Sequence, residues 1–179
     1  MTLMTASGDI LARAAQVRLL IMDVDGVLTD GKLYFTPDGQ ELKSFHARDG
    51  HGLKLLQRSG VETAVISGRS SPAVALRMSS LGVRHVFQGC ENKLEPYQTL
   101  LNRLNLLPEQ TAFVGDDILD LPLMRRAGLA VAVADAHFSL HASAHWTTSV
   151  AGGLGAVREV CDLIMQAQKT WQGVLESYY

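Results

Sequence analysis

The stretch LLIMDVDG, residues 19–26, places four apolar residues directly before two carboxylates and a glycine. A short apolar run of this kind is typical of a buried strand in a parallel sheet. Asp23 and Asp25 then follow at the carboxyl end of the strand, the edge at which open α/β sheets bind ligands. Carboxylates so close together are costly to bury without a cation or a shared proton. Taken alone, however, the pair is explained more simply as two solvated loop acids.

A second acidic cluster ends another short apolar run, TAFVGDDILD at residues 111–120. Because parallel strands end at the same edge of a sheet, Asp116 and Asp117 are expected to lie close to the first acid pair. Mg²⁺ prefers oxygen ligands and is usually held by one or two carboxylates together with waters and substrate phosphate. Asp23 and Asp116 therefore predict a magnesium site that leaves positions for phosphate oxygens.

Two further predicted strands end in groups that suit a phosphate. VISGR at residues 65–69 ends with the hydroxyl of Ser67 and the cation of Arg69, and Lys93 follows the apolar stretch 85–88 after a short loop. A hydroxyl can donate to a phosphate oxygen, and a lysine ammonium can neutralise phosphate charge. These four strand ends together predict phosphoryl transfer, which depends mostly on positioning and charge neutralisation.

The rest of the chain alternates short apolar runs with helical patterns, which predicts an α/β fold with a Rossmann-like parallel sheet flanked by helices. The predicted strands are residues 17–22, 63–66, 85–88, 111–114 and 129–133, and the predicted helices are residues 52–59, 72–80, 94–104 and 119–127. Residues 32–45 interrupt the alternation, because Pro37-Asp38-Gly39 predicts the turn of a β-hairpin inserted after the first strand. No linker is evident, so residues 1–179 are expected to form one domain.

The C-terminal part begins with a glycine-rich stretch, Gly152-Gly153-Leu154-Gly155, which predicts a flexible hinge. After it, apolar residues recur at helical spacing from Val157 to Ile164, which predicts an amphipathic helix. We expect residues 151–179 to act as a lid over the site.

Composition excludes several classes of protein. The 179 residues include 16 Lys and Arg against 18 Asp and Glu, a net charge of −2 that argues against nucleic-acid binding. Cys90 and Cys161 are too few for a disulfide framework and lack zinc-site spacing, so thiols in a reducing, cytoplasmic compartment are expected. No secretory signal and no apolar run of membrane-spanning length is evident, so no membrane association is expected.

These motifs, in this order, resemble those of the haloacid dehalogenase-like phosphohydrolases. The matching residues are DVDGV at 23–27, SGR at 67–69, Lys93 and GDD at 115–117. Neither gap between the first three motifs is long enough for the cap domain of larger relatives, so a capless fold is expected. An open site loses the exclusion of water that strengthens electrostatic interactions, and some other element should cover it.

The resemblance also implies a role for each residue. Asp23 would be the nucleophile that forms an aspartyl-phosphate, and Asp25 the general acid/base. Mg²⁺ would be held by the carboxylates of Asp23 and Asp116 and by the main-chain carbonyl of Asp25, while Asp117 would orient the site. Ser67 and Lys93 would complete the catalytic set.

Longer stretches look like the 3-deoxy-D-manno-octulosonate 8-phosphate phosphatase family. They are DVDGVLTDGK at 23–32, RDG at 48–50 with Gly52, GDDILD at 115–120, VAVADA at 131–136 and AGGLGAVREV at 151–160. This resemblance, from about Val17 to Gln166, implies hydrolysis of an acidic eight-carbon sugar phosphate in lipopolysaccharide synthesis. It also implies a homotetramer in which hairpins join and a neighbouring subunit helps to form each site.

An acidic substrate should be selected by cations outside the phosphate pocket. By family position, the implied substrate contacts are Asp25, His46, Ala47, Arg48, Asp49, Gly50, Lys54, Arg69, Arg77 and Lys93. Arg77 also fits a solvated helix face, and His46 lies in a variable part of the family's motif.

Other functions share part of the pattern. A phospho-accepting signalling receiver is also an α/β domain with clustered acids and a lysine, but it lacks a second acid two residues after the first, as Asp25 is here. A non-catalytic oligomerisation domain of the same fold would not need an intact set of acids. Among phosphatases, a nine-carbon acidic sugar phosphate of the sialic-acid type is the alternative substrate, because pocket length is not visible in the sequence.

Overall fold

The core is a parallel sheet built from the short apolar runs. A computed structural model describes residues 7–179. The strands are β1 (Leu19–Met22), β2 (Tyr34–Phe35), β3 (Glu41–Leu42), β4 (Glu62–Ile66), β5 (His85–Phe87), β6 (Thr111–Gly115), β7 (Leu129–Ala132) and β8 (Trp146–Thr147). All residues of β1, β6 and β7 are buried, as expected for strands that are covered on both faces.

Helices cover the sheet. They are α1 (Gly8–Gln16), α2 (Ala47–Arg58), α3 (Pro72–Leu81), α4 (Leu94–Leu104), α5 (Leu121–Met124), α6 (Ala156–Ala167) and α7 (Trp171–Glu176). The amphipathic helix that the sequence predicted after Gly155 is α6, which packs against both α1 and α2. The predicted α/β architecture with a parallel sheet is confirmed.

The strand order places β1 at the centre of the sheet. Six strands run in the order β5-β4-β1-β6-β7-β8, so the chain proceeds to one side from β1 and later crosses to the other. Ligands of open α/β sheets bind where the strand order reverses in this way. Met22, the last residue of β1, is paired with Val65 of β4 and Val114 of β6, so these three strands end close together.

Two helices differ from their predicted extents. Helix α2 begins at Ala47 rather than residue 52, because the His46 ring accepts the N–H of Arg48 at 3.2 Å and caps the helix. The predicted helix at 119–127 is reduced to the four residues of α5. It is preceded by a 3₁₀ turn at Ile118–Asp120, where side-chain hydrogen bonds hold the backbone at the site. Helices α1 and α7 and strand β8 were not predicted from the sequence.

Residues 32–45 form the predicted hairpin, whose short strands lie outside the main sheet. Tyr34 pairs with Leu42 and Phe35 with Glu41 in antiparallel register. Leu33, Tyr34, Phe35 and Leu42 are exposed. Within residues 7–179, the segment between β1 and β4 holds only this hairpin and α2, in agreement with a capless fold.

The glycine-rich stretch before α6 permits close packing. Gly152 is buried, and a Cβ there would overlap the main-chain carbonyl of Gly26. The N–H of Gly153 donates to the carbonyl of Val27 at 2.9 Å. These contacts explain Gly152 and Gly153 as points of close backbone approach, and a flexible hinge in this stretch stays a prediction. A lid formed by residues 151–179 stays a prediction.

The remaining composition-based expectations concern thiols and membranes. Cys90 and Cys161 are both unpaired. Among residues 7–179, no helix has the length and apolarity required to cross a membrane.

Candidate active site

The acids predicted from the sequence meet at the carboxyl ends of the central strands. Asp23 follows β1, and its N–H donates to the carbonyl of Val114 in β6 at 3.0 Å. A cavity of about 570 Å³ opens at this edge. It is lined by Asp23, Asp25, Gly31, Ser67, Gly68, Arg69, Cys90, Glu91, Lys93, Asp116, Asp117 and Leu119. The structure therefore brings together all four predicted catalytic residues and all the predicted metal ligands.

The donor set at the cavity fits a hard cation. Asp23, Asp116 and Asp120 offer carboxylate oxygens that lie within 4.8 Å of one another. Oδ1 of Asp116 is buried and has no hydrogen-bond partner among the residues that the structure describes. Oxygen ligands with an unsatisfied buried carboxylate suit Mg²⁺.

The main chain makes room for this carboxylate at Gly26. A Cβ at Gly26 would overlap the side chain of Asp116, and the residue also adopts a φ of +86°. Both observations require glycine immediately after Asp25.

Electrostatic repulsion at the site is visible in the pKa values of its acids. Burial, followed by the charges of Asp120, Asp23 and Asp117, raises the pKa of Asp116 to about 8. Burial and the charge of Asp120 likewise raise the pKa of Asp23 to about 6, against the opposing effect of Lys93. A bound divalent cation would relieve the repulsion and favour the ionised carboxylates.

Lys93 is held by two carboxylates. Its Nζ lies 2.7 Å from Oδ1 of Asp120 and 3.0 Å from Oδ1 of Asp23. Burial lowers the pKa of Lys93, but the two carboxylates outweigh burial and raise it. The ammonium therefore stays charged beside the predicted nucleophile.

Asp120 is a functional residue that the sequence analysis did not assign. It is fully buried, and its Oδ2 accepts the N–H groups of Asp116 at 2.9 Å and Asp117 at 3.4 Å. Asp120 thus orients both Lys93 and the acidic loop. The sequence GDDILD could have indicated this role, because an acid four residues after Asp116 is placed to accept the main-chain N–H of Asp116.

Thr29 organises the loop that follows Asp23 and was also missed. Its buried hydroxyl donates to the carbonyl of Val24 at 3.3 Å and accepts the N–H groups of Gly26 at 3.4 Å and Gly31 at 3.3 Å. These bonds fix the main chain around Asp25, whose carbonyl is a predicted metal ligand. Nothing in the sequence distinguished Thr29 from an ordinary turn residue.

Ser67 and Arg69 lie across the cavity on the loop after β4. Ser67 is buried, and its Oγ accepts the N–H of Arg69 at 3.3 Å. The Arg69 guanidinium projects to the hairpin, where it donates to Oε1 of Glu41 at 2.6 Å. It also lies near Asp25, with Nε 3.7 Å from Oδ2.

Lys43 reaches the site from the hairpin and was likewise missed. Its Nζ donates to Oδ1 of Asp25 and lies 3.5 Å from Oε1 of Glu41. The sequence held one signal for it. In the sequence, the charged residues Glu41 and Lys43 alternate with Leu42 and Ser44, as on the two faces of a strand. In the structure, Glu41 and Lys43 turn inward and Leu42 faces out.

The other predicted substrate contacts do not line this cavity in a single chain. They are His46, Ala47, Arg48, Asp49, Gly50, Lys54 and Arg77. Asp49 is buried and accepts the N–H of Arg158 at 2.7 Å, and the guanidinium carbon of Arg77 lies 6.0 Å from the centre of the Phe45 ring. Their role in substrate binding stays a prediction.

Comparison with known proteins identifies the family. Residues 48–128 match the haloacid dehalogenase-like hydrolases. The 3-deoxy-D-manno-octulosonate 8-phosphate phosphatase KdsC of Escherichia coli K12 is 50% identical over 162 residues, which cover 90% of this chain and 86% of the relative.

Solved structures agree with the sequence comparison. The crystal structure of the same phosphatase from Yersinia pestis superimposes with a TM-score of 0.91 at 49% identity, covering 93% of this chain and 90% of that one. The enzyme of Moraxella catarrhalis, solved with a magnesium ion, a phosphate ion and a KDO molecule, gives a TM-score of 0.93 at 37% identity, with 96% and 98% covered. The chain described here therefore belongs to the 3-deoxy-D-manno-octulosonate 8-phosphate phosphatase family of haloacid dehalogenase-like hydrolases.

Proposed function

We propose that the protein hydrolyses 3-deoxy-D-manno-octulosonate 8-phosphate to 3-deoxy-D-manno-octulosonate and inorganic phosphate. The observation that carries the proposal is the convergence of Asp23, Lys93 and Asp116 in one cavity at the centre of the sheet edge. A nucleophile, a fixed cation and a metal-binding carboxylate are the parts that phosphomonoester hydrolysis needs. The proposal agrees with the activity for which its relatives are named.

The reaction proceeds in two displacements. In the first, a carboxylate oxygen of Asp23 bonds to phosphorus as the bond to the sugar oxygen breaks, and Asp25 gives its proton to that oxygen. In the second, Asp25 takes a proton from water and the water oxygen bonds to phosphorus. The bond between phosphorus and the Asp23 oxygen breaks, which releases phosphate and restores the Asp23 carboxylate. Lys93 remains charged throughout and offsets the negative charge on the phosphoryl oxygens.

The carboxylates of Asp23 and Asp116 and the main-chain carbonyl of Asp25 would hold Mg²⁺, which supplies charge neutralisation at the phosphate oxygens when bound. The buried, unsatisfied Oδ1 of Asp116 fits that role. A magnesium ion in the Moraxella catarrhalis structure agrees with the choice of metal. The chain's own contribution is to hold these oxygens in place, through Thr29 and Asp120.

The carboxylate of the substrate would be bound by arginine. Arg69 lies at the cavity and is half exposed, so its guanidinium can exchange Glu41 for a substrate carboxylate. Arg48, Lys54 and Arg77 lie outside the cavity of their own chain, and we propose that they act at the site of a neighbouring subunit.

We propose a homotetramer in which the hairpins provide the contacts. The exposed side chains of Leu33, Tyr34, Phe35 and Leu42 support this assembly, since a short hairpin with an apolar outer face is marginally stable in water. We also propose a cytoplasmic enzyme of lipopolysaccharide synthesis, supported by the two unpaired thiols and by the substrate named for its relatives.

A panel of sugar phosphates tests the substrate. The purified protein with Mg²⁺ is assayed for phosphate release from the eight-carbon keto acid phosphate, its nine-carbon analogue of the sialic-acid type, and neutral hexose phosphates. We expect the eight-carbon substrate to give the highest kcat/KM. A wide preference for the nine-carbon compound would change the assigned substrate but not the proposed mechanism. No phosphate release from any ester would favour a non-catalytic oligomerisation domain.

A further inference from the structure

The hairpin delivers a buried cation to the site. The side chain of Lys43 is 2% exposed, although it belongs to a hairpin whose apolar residues face outward. A buried ammonium is costly unless oxygen atoms surround it. Lys43 meets this requirement with the carboxylates of Asp25 and Glu41. The hairpin therefore contributes to the site of its own chain as well as presenting an outer face.

The two oxygens of Asp25 are in different situations. Oδ1 accepts the hydrogen bond from Lys43, whereas Oδ2 is buried and has no hydrogen-bond partner in the part of the chain that is described. Nε of Arg69 lies 3.7 Å from Oδ2, beyond hydrogen-bonding distance. One oxygen is thus anchored, and the other remains available for a proton.

Glu41 balances the charge of this arrangement. Its Oε1 accepts a hydrogen bond from Arg69 at 2.6 Å and lies 3.5 Å from Nζ of Lys43. Two cations and two carboxylates then alternate between the hairpin and the sheet edge. Because the charges compensate one another, Lys43 can remain buried beside Asp25 before a substrate arrives.

We propose that Lys43 is the positioning residue for the general acid/base Asp25. The proposal rests on the phosphatase reaction described above. By holding Oδ1, Lys43 fixes the rotation of the carboxyl group and leaves Oδ2 to exchange the proton with the leaving oxygen. Proton transfer needs heavy atoms within hydrogen-bonding distance, and a displacement of about 1 Å can cost about 100-fold in rate. The position of the hairpin, which carries Lys43, thereby affects the acid/base step at Asp25.

The test is the dependence of kcat/KM on the leaving group. Substituted phenyl phosphates differ in how much their leaving oxygen needs a proton but lack the sugar, so contacts to sugar groups do not enter the comparison. In Lys43→Met we expect a loss of about 10-fold or more for the poorest leaving group and less than about 2-fold for p-nitrophenyl phosphate. Lys43→Arg should restore part of the loss, because a guanidinium can still donate to Oδ1.

Three further variants make the result specific. Lys32→Met is the matched control, since Lys32 lies at the start of the same hairpin, its side chain is 71% exposed, and among residues 7–179 its only ion pair is with Asp30. Asp25→Asn should show the same leaving-group dependence as Lys43→Met, and combining the two should add little. Lys43→Gln is measured in parallel, so that the role of Lys43 is still tested if Lys43→Met does not fold.

Two outcomes would overturn the assignment of Lys43. One is an equal loss of kcat/KM for all leaving groups, which would make Lys43 a phosphate or structural contact. The other is an unchanged kcat/KM in both Lys43→Met and Lys43→Gln. If the unmodified protein hydrolyses no phosphate ester, the proposed function fails instead, and the two failures are therefore distinguishable.

Discussion

The acid centre at the sheet edge, formed by Asp23, Asp116, Asp120 and Lys93, differs from the hairpin in which side chains are buried. At the centre, Asp120 and Lys93 are almost completely buried and satisfy each other within one chain. In the hairpin, the side chains of Glu41 and Lys43 turn inward while Phe35 and Leu42 face outward and are exposed. The first region is complete in a single subunit, and the second leaves an apolar face that a monomer would have to expose to water.

This difference suggests separate roles, with the reacting groups at the strand ends and the contacts between subunits on the hairpin. Rigid strand ends place the reacting groups with the precision that proton and phosphoryl transfer require. The hairpin has strands of only two residues each, which suits it to the subunit contacts proposed above. Substitutions at the centre should therefore affect kcat strongly, and substitutions on the outer hairpin face should affect assembly first.

The largest effect is expected at the nucleophile. Asp23→Asn keeps the size of the side chain but removes the attacking carboxylate, so turnover of any phosphate ester should fall by at least about 1,000-fold. Phosphate release is measured with Mg²⁺ after the melting temperature has shown that the variant is folded. Asp38→Asn, in the exposed hairpin turn, is the control with unchanged turnover. Retention of most activity in Asp23→Asn would contradict the covalent mechanism.

Asp120 should come next, because it serves both the acids and the lysine. Asp120→Asn weakens the hydrogen bonds to Asp116 and leaves Lys93 with one carboxylate partner. Removing one partner of a buried pair costs about 3 kcal/mol of unfolding free energy, and misplacement of Lys93 should lower kcat about 100-fold. Urea denaturation and steady-state kinetics measure the two quantities.

A surface acid provides the matched control for Asp120. Asp9→Asn removes one partner of the Asp9–Arg13 pair, whose side chains are 69% and 36% exposed. An exposed pair contributes less than about 1 kcal/mol, so this variant should remain close to the unmodified protein in both measurements. Equal effects of the two substitutions would mean that burial of Asp120 has no energetic consequence.

A smaller effect is expected on the outer face of the hairpin. Phe35→Ser should leave the fold of the chain unchanged, because Phe35 is 61% exposed, but should weaken association into tetramers. Light scattering gives the mass, and kcat/KM for the sugar phosphate should fall with dissociation. Leu107→Ser, equally exposed but away from the hairpin, should keep the assembly. A tetramer that survives Phe35→Ser unchanged would place the interface elsewhere.

The same contrast explains what the sequence could and could not predict. Asp23, Asp116 and Lys93 were predictable because each follows a short apolar run, and parallel strands bring their ends together. The partners that orient them were not, since the hydrogen bonds of Thr29 and Asp120 depend on loop paths that follow no periodic pattern.

Two local patterns in the sequence were ambiguous for a physical reason. The Gly152-Gly153-Leu154-Gly155 stretch predicts a hinge, but a sequence alone does not distinguish glycine that permits motion from glycine that permits close backbone approach, as Gly152 and Gly153 do. The start of the 119–127 helix was misplaced, because its apolar spacing persists where side-chain hydrogen bonds of Asp117 and Asp120 impose a tighter turn at Ile118–Asp120. In both segments, the contacts that position the backbone are tertiary and do not appear in the local pattern.

The pH dependence of the acid centre without metal provides a test of stability alone. In the folded protein the pKa of Asp116 is raised to about 8, whereas in the unfolded chain it has its ordinary value of 3.8. The folded state therefore binds its proton more tightly, and this contribution to stability is lost as pH rises between the two values. The melting temperature of metal-free protein should fall by roughly 10 °C from about pH 5 to about pH 8, and Asp116→Asn should reduce the fall.

Mg²⁺ should reverse this dependence, because the metal requires the ionised carboxylate and competes with the proton. Its stabilisation of the unmodified protein should therefore increase from about pH 6 to about pH 8, and Asp116→Asn should lose most of it. Differential scanning calorimetry with Mg²⁺ and with chelator measures both trends in one series. Since the hairpin outer face carries no acid of this kind, Phe35→Ser should keep the full pH dependence. If Phe35→Ser lost it as well, the acid centre would not be complete within a single chain, and the contrast between the two regions would fail.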